Sequence, residues 1–209
     1  MGLSLDRRSE LWTVRPLELP RLRRYCPGCG VAREFVCSGR FRTNAQKKAI
    51  DVWLKYRCAL CETVWKAPVI ARRPISQLDP TLREGFERDD QALVWKYAFD
   101  TDRWRSHVIA VEADVPLRVD RAPVECACDA SAHACFHLAV PFPCELRLDR
   151  LLSTELRIAR AQLQRWRDSG RLDVEPEQRD ALRKRVRDGQ CVRFREEQDA
   201  TLSSRACVL

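Results

Sequence analysis

Two pairs of closely spaced cysteines constrain the fold of this chain more than any other feature. The first pair is Cys26 and Cys29, the second is Cys58 and Cys61, and two residues separate the members of each pair. Such pairs are typical of a four-thiolate zinc site, because each presents two ligands from one tight turn and a tetrahedral ion needs four. The alternative is two coincidental reduced pairs or a redox dithiol, although a redox motif needs no second pair.

The residues around the pairs predict strands that lead into metal-binding turns. Gly28 and Gly30 are expected to supply unusual backbone angles in the first turn. Residues 50–56 are apolar at every second position, which is typical of a half-buried strand. We therefore expect a zinc ribbon, with residues 1–24 packed against it as an extended lead-in. A sheet this small buries little surface, so one structural Zn²⁺ is expected to supply much of its folding free energy.

The charge of the chain is concentrated at the end that carries these pairs. The net charge is +8; residues 1–75 carry 16 Lys and Arg against 6 Asp and Glu, whereas residues 76–144 carry 7 against 12. A basic zinc module indicates a polyanionic partner, most simply nucleic acid. The alternative interpretation of the charge alone is a surface that keeps the protein in solution.

A basic segment between the two pairs, residues 41–48, is expected to be a loop. Its cations can contact phosphates and its aromatic ring can stack on a base. The alternative is a solvated loop with the ring buried inward. The candidate nucleic-acid contacts here are Arg40, Phe41, Arg42, Lys47 and Lys48.

The residues in and between the pairs also resemble a known family. The patterns are Cys26-Pro-x-Cys-Gly, Gly39-Arg-Phe-Arg-Thr-Asn-Ala-x-Lys-Lys, Ile50-Asp-Val-Trp-Leu-x-Tyr-x-Cys and Cys61-x-Thr-Val-Trp. They resemble the bacterial family DUF1062, which has no assigned activity. The resemblance is dense over residues 26–66 and continues through residues 96–100. It supports the zinc-ribbon architecture and implies no reaction.

The middle of the chain, residues 76–144, is predicted to mix helices and strands. Pro80 and the acidic pair Asp89 and Asp90 mark two helix starts. Further on lies a second patch rich in cysteine and histidine, which is either a second metal site or a hairpin tip, since its spacing matches no common zinc module. Its candidate ligands are Cys126, Cys128, His133, Cys135 and His137.

The last third of the chain, residues 145–209, predicts two helices followed by two strands. The first helix has an apolar stripe at Leu148, Leu151 and Leu152, the second ends at Gly170, and an Asp188-Gly189 hairpin turn precedes the last strand. This order resembles the small RNA-binding module named after ribosomal protein S4, over about residues 146–194.

That resemblance implies contacts between basic side chains and structured RNA. Ala159 and Gln162 stand where the family usually has Ser and a second Arg, and Glu175-Pro176-Glu177 replaces its usual turn. The alternative is a degenerate module kept for folding or protein contact. The candidate RNA contacts carried over by position are Arg147, Arg150, Arg160, Arg165 and Arg171.

The expected architecture is therefore α+β, with a zinc ribbon in residues 1–75, a mixed middle in 76–144 and an S4-like α/β module in 145–209. No apolar run approaches a membrane span, and the N-terminus lacks a signal-peptide core, which together predict a cytoplasmic location without a membrane partner.

The function expected from the sequence is non-enzymatic binding of nucleic acid, with structured or ribosome-associated RNA favoured. The chain has no HExxH, no glycine-rich phosphate loop and no nucleophile elbow, and four cysteine ligands leave a zinc ion no open position. The alternative is an adaptor with structural zinc, which docks a protein partner through the acidic middle and the helical face around Trp95 and Tyr97.

Overall fold

Strands dominate the structure, a computed structural model that describes residues 8–112, 114–125 and 132–195. The described part is mixed α+β, as expected, with two five-stranded sheets and four α-helices. Short 3-10 helices lie at Ile75–Gln77, Thr101–Trp104 and Ala181–Arg183. The strands are β1 (Arg8–Pro16), β2 (Arg21–Cys26), β3 (Val31–Gln46), β4 (Ala49–Cys58), β5 (Val64–Pro74), β6 (Ala110–Glu112), β7 (Leu117–Pro123), β8 (Ala132–Ala139), β9 (Leu172–Glu175) and β10 (Cys191–Arg195), and the helices are α1 (Pro80–Glu87), α2 (Gln91–Phe99), α3 (Leu148–Leu156) and α4 (Arg160–Asp168).

The chain divides into two compact units. Pro16–Leu117 forms the first, which we call the central unit. The second, which we call the flanking unit, comprises Met1–Arg15 together with Arg118–Leu209. These units divide the chain at other places than the three expected segments, because long-range strand pairing joins β1 to β8 and β8 to β10 in one sheet.

The sheet of the central unit has the strand order β5-β4-β3-β2-β6. In β4, Val52, Leu54 and Tyr56 are fully buried, while Trp53 and Lys55 between them lie on the other face. Strands with a period of two bury one face only. The strand predicted over residues 50–56 is thus confirmed.

Two helices cover the buried face of this sheet, and both begin where the sequence indicates, at Pro80 and directly after Asp90. The Asp79 carboxylate accepts a hydrogen bond from the Leu82 N–H before α1, and Asp90 accepts one from Leu93 before α2, each at 3.0 Å. Such caps satisfy backbone donors that have no partner within the helix. The core between sheet and helices includes Phe86, Val94, Tyr97 and Ala98 from the helices and Trp104 from the segment that follows.

The basic segment expected to be a loop is instead a hairpin. Residues 41–46 continue β3, and only Lys47 and Lys48 form a turn, both with positive φ. Strand alternation places Arg40 and Arg42 outward and Phe41 inward, where 7% of the side chain is exposed. Its ring centroid lies 4.9 Å from that of Phe86 and 6.2 Å from that of Tyr97. The interpretation of Phe41 as a base-stacking residue is therefore wrong, because the ring is part of the core.

Two other expectations about packing are corrected. The lead-in was expected to pack against the ribbon, but its strand β1 pairs in parallel with β8 in the sheet of the flanking unit, and Trp12 and Val14 are fully buried. An extended apolar segment needs a sheet partner, and β8 provides one from more than a hundred residues away. Tyr97, expected on a docking face, is 9% exposed and packs against Phe86, while Trp95 stacks on Phe99.

The flanking unit contains the sheet β7-β1-β8-β10-β9 and the helices α3 and α4. The predicted order of two helices and two strands is present, with Leu148, Leu151 and Leu152 buried and Gly170 at positive φ just after α4. The turn at Asp188 and Gly189 does not join two paired strands; the Asp188 carboxylate accepts from the Val140 N–H at the end of β8. No helix in the part of the chain described here has both the length and the apolarity needed to cross a membrane.

Candidate metal centre and basic residues

Four cysteine sulfurs converge at one end of the central sheet. Cys26 and Cys58 are the last residues of β2 and β4, and Cys29 and Cys61 lie in the turns that follow. Both strands are antiparallel to β3, which lies between them, so they run in the same direction and finish at the same end of the sheet. The expected convergence is confirmed, since all four sulfurs lie within 4.8 Å of one another.

The separations between the sulfurs suit a single ion. The Cys26 and Cys61 sulfurs are 3.4 Å apart, and those of Cys29 and Cys58 are 3.8 Å apart. Four thiolates at about 2.3 Å from one tetrahedral ion would be separated by about 3.8 Å. The four cysteines can therefore hold one metal ion with donors that soft divalent cations prefer.

The two turns have the same backbone construction. Gly30 donates to the carbonyl of Cys26 at 2.9 Å, and Glu62 donates to the carbonyl of Cys58 at 3.1 Å. Each donor is the fourth residue after the first cysteine of its pair, and each has positive φ, 69° for Gly30 and 60° for Glu62. The repeated turn explains how both pairs aim their sulfurs at one point.

Gly28 has a different role from the one that the sequence indicates. Only Gly30 of the two glycines has positive φ, whereas a Cβ at Gly28 would lie 2.5 Å from the Thr63 Oγ1 atom and 3.0 Å from the Cys61 sulfur. Real Cβ atoms do not approach other atoms so closely. Gly28 therefore allows the two turns to pack against each other.

Replacing Gly28 with alanine is expected to weaken metal binding by roughly 10- to 100-fold, the range seen when groups that orient ligands are lost. The added methyl must displace Thr63 or the Cys61 sulfur. Competition with a chromophoric chelator measures the affinity. Gly30→Ala is the matched control, because nothing lies within 4 Å of its Cβ position and only backbone strain is introduced. Equal affinity of Gly28→Ala and the wild type would contradict the packing role.

The surroundings of the sulfurs favour negative charge. Hydrogen bonds from the side chain and backbone of Thr63 lower the pKa of the Cys61 thiol to about 6. The guanidinium of Arg24 lies 4.1 Å from the centre of the Trp65 ring, and its buried Nε and Nη1 atoms have no hydrogen-bond partner within the described ranges. Burial lowers the pKa of Arg24, and the nearby Cys26 thiol opposes that effect. Four thiolates around a divalent ion carry a net charge of −2, which a neighbouring cation offsets.

A second group of donors lies on the flanking sheet, but with a different membership from the expected one. Cys135 and His137 on β8 meet Cys191 on β10. The Cys135 sulfur lies 3.2 Å from the Cys191 sulfur and 3.4 Å from His137 Nε2. These three residues can also hold a metal ion. Burial and the neighbouring Cys191 raise the pKa of Cys135 to about 12.

Three other residues were expected in that second site. His133 is not in the group of three, and Cys126 and Cys128 lie outside the described residues. Cys191 escaped the sequence analysis because it is 54 positions beyond His137. The sequence did predict an alternating strand that contains Cys191 and reaches Phe194. Only the pairing of β10 with β8 brings the Cys191 sulfur to the others.

The basic residues expected to contact nucleic acid occupy two separate places. In the central unit Arg40, Arg42, Lys47 and Lys48 are exposed along the β3–β4 hairpin. In the flanking unit Arg150 and Arg160 are exposed on α3 and α4, and neither has a carboxylate partner among the described residues.

The remaining three candidates of the flanking unit have partners of their own. Arg147 donates to Asp149 at 2.7 Å, and Arg165 donates to Gln162. The Arg171 guanidinium lies 5.3 Å from the centre of the Trp166 ring. These interactions within the chain make Arg150 and Arg160 the more available cations of this set.

Comparison with known proteins identifies a family and nothing further. The model of the family DUF1062, described as a protein of unknown function, matches residues 43–178. No curated protein and no solved structure shows significant similarity to the chain.

Proposed function

The chain belongs to the DUF1062 family, whose function is unknown, and we propose that it is a non-enzymatic, zinc-containing protein that binds nucleic acid, with RNA favoured. Zinc is proposed because four thiolates are its common structural donor set in proteins. A closed set of four ligands leaves no coordination position for a substrate, so the ion has a structural role. Arg24 and the Thr63 hydroxyl stabilise the anionic centre that results.

The observation that carries the proposal is the unpaired charge of the β3–β4 hairpin. Arg40, Arg42, Lys47 and Lys48 are exposed, and none of them has a carboxylate partner among the described residues. Other arginines of the central unit do have acid partners, as Arg21 has Glu34 and Arg88 has Glu84. Exposed cations without partners are the groups that neutralise phosphates and release counterions.

The flanking unit supports the preference for RNA. It contains two helices followed by two strands, which is the order on which the resemblance to the S4-type module rests. Arg150 and Arg160 lie on the two helices. Two weak modules on one chain gain affinity through effective concentration when both reach the same ligand. Structured RNA long enough to contact both units is therefore the proposed partner.

Filter binding of a structured RNA to the full chain tests this function. Affinity is expected to fall steeply between 50 and 200 mM salt, as phosphate contacts require. Replacing Arg40, Arg42, Lys47 and Lys48 together with alanine should lower the slope of log affinity against log salt by about 0.7 to 0.9 for each phosphate that is no longer neutralised. Arg88→Ala, which removes a cation already paired with Glu84, is the control. Binding that is absent or indifferent to salt would contradict the proposal.

A further inference from the structure

We propose that the face of the central sheet opposite its helices binds single-stranded nucleic acid, with bases stacked on Trp53 and phosphates held by the cations around it. This inference rests on the proposed function, to which it adds a surface and a class of ligand. The outer face, as we call it, is the side of the sheet opposite the core. Its cationic and aromatic residues are Arg23, Tyr25, Arg42, Trp53, Lys55, Arg57 and Lys66.

The strand register defines this face. Along β4, Trp53, Lys55 and Arg57 alternate with Val52, Leu54 and Tyr56, which belong to the core. Across the sheet, Trp53 lies between Arg42 on β3 and Pro68 on β5, and Arg57 lies between Val36 and Val64. Directly paired residues on antiparallel strands share a face. All of these residues consequently lie on one surface.

Helices cover the other side of the sheet. Phe86 of α1 and Val94, Tyr97 and Ala98 of α2 all belong to the core cluster, together with the inward residues of the strands. Trp53 is neither in this cluster nor among the half-buried residues packed against it. Trp53 is half-buried on the outer face, so part of its ring is available to a ligand there.

The pairing of charges on the outer face is unfavourable without a ligand. Lys55 on β4 is the direct cross-strand partner of Lys66 on β5. Like charges in this position destabilise a sheet, whereas an anion between them would convert the repulsion into attraction. Neither lysine has a carboxylate partner in the described ranges, and the same holds for Arg42 and Arg57.

Exposed apolar side chains lie beside these cations. Tyr25 is 57% exposed, Val36 is 41% exposed and Val64 is 47% exposed. Aromatic rings among cations on a flat sheet allow bases to stack while phosphates are neutralised, which is how sheet-based modules bind single strands. Lys55 and Arg57 are two residues apart on one face, which separates their Cα atoms by about 6.6 Å. Neighbouring phosphates of an extended single-stranded nucleic acid have a comparable spacing. A duplex keeps its bases stacked inside and could use only the cations.

Fluorescence anisotropy with the full, metal-loaded chain tests the inference. The probes are labelled 20-mers of uridine and of thymidine and a hairpin duplex of the same charge. We expect both single strands to bind more tightly than the duplex. Trp53→Ala should weaken single-strand binding by roughly 5- to 150-fold, the loss typical of one stacked base. Trp53→Phe should restore most of this affinity, and thermal melts establish that both variants fold.

A second variant tests the charges separately. Replacing Lys55 and Lys66 together with alanine should lower the salt slope by about 0.7 for each phosphate that the lysines neutralise, without lowering the melting temperature, because a repulsive pair is removed. The inference is overturned if the wild type binds RNA, but Trp53→Ala and the double Lys55/Lys66 variant bind single strands as tightly as the wild type does. The outer face is then not the site. If the wild type binds none of the three probes and no structured RNA, the proposed function itself fails.

Discussion

Replacing Cys58 with serine is expected to abolish stoichiometric metal binding and to loosen one end of the central sheet. The Cys58 sulfur is buried 3.8 Å from that of Cys29, so no other donor can take its place without a backbone shift. Loss of a group that merely orients a ligand costs 10- to 100-fold in metal affinity, and loss of the ligand itself should exceed about 100-fold. Native mass spectrometry of the full chain measures the bound metal.

The loosening should be local because an aromatic core, as well as the metal centre, stabilises the central unit. At the far end of the sheet Phe41, Phe86 and Tyr97 pack together, and Trp104 packs edge-on against Tyr56 nearer the middle. This core corrects the expectation that the ion must supply much of the folding free energy of an isolated small sheet. In the variant, amide exchange should accelerate in residues 22–36 and 56–66, while residues 41–54 and both helices stay protected.

The matched control for this prediction is Cys37→Ser. Cys37 lies on the same sheet but outside the group of four, and burial raises the pKa of its thiol to about 11. The control should keep the full metal content and the wild-type exchange pattern near the turns. Retention of a tightly bound ion by Cys58→Ser, or its loss from Cys37→Ser, would contradict the assignment of the ligands.

Replacing Phe41 with alanine is expected to lower the free energy of unfolding of the central unit by about 3–5 kcal/mol, the usual cost of removing a buried phenylalanine ring. The Phe41 ring makes edge-to-face contacts with Phe86 and Tyr97. The backbone N–H of Phe41 donates a hydrogen bond to the Asp89 carboxylate at 2.6 Å. Its removal leaves a cavity between the sheet and both helices. Denaturant unfolding followed by circular dichroism measures the change.

Arg42→Ala is the control for this substitution, because Arg42 is the outward neighbour of Phe41 and surface changes usually stay within about 0.5 kcal/mol. A loss of less than about 1 kcal/mol in Phe41→Ala, with weaker binding of oligonucleotides, would instead place the ring on the binding surface. The two variants thus separate a core residue from a ligand contact at adjacent positions.

The features that the sequence predicted correctly are those fixed by local chemistry. Two CxxC pairs place four sulfurs together when each forms the same kind of turn. Pro80 and the pair Asp89 and Asp90 indicate where α1 and α2 begin. The strand containing Trp53 follows from its alternation. Each of these signals lies within a few residues of the feature that it specifies.

The features that were missed depend on contacts between distant parts of the chain. The pairing of β1 with β8 and of β10 with β8 brings Trp12, Cys135 and Cys191 into one unit, and no local pattern encodes those partners. Phe41 is a different case. Cations on both sides of an aromatic residue look like a binding loop, yet the same alternation of outward and inward side chains is the pattern of a strand.

The most direct measurement of the whole account is the affinity of a labelled RNA for the full chain before and after the metal is removed with a chelator, at low and at moderate salt. The metal-loaded protein should bind with strong salt dependence, and the stripped protein should bind more weakly, because Arg23, Tyr25, Arg57 and Lys66 of the outer face lie in the residues that loosen. Equal binding by both forms, or no salt-dependent binding by the loaded form, would contradict the claim that a metal centre supports a nucleic-acid-binding sheet.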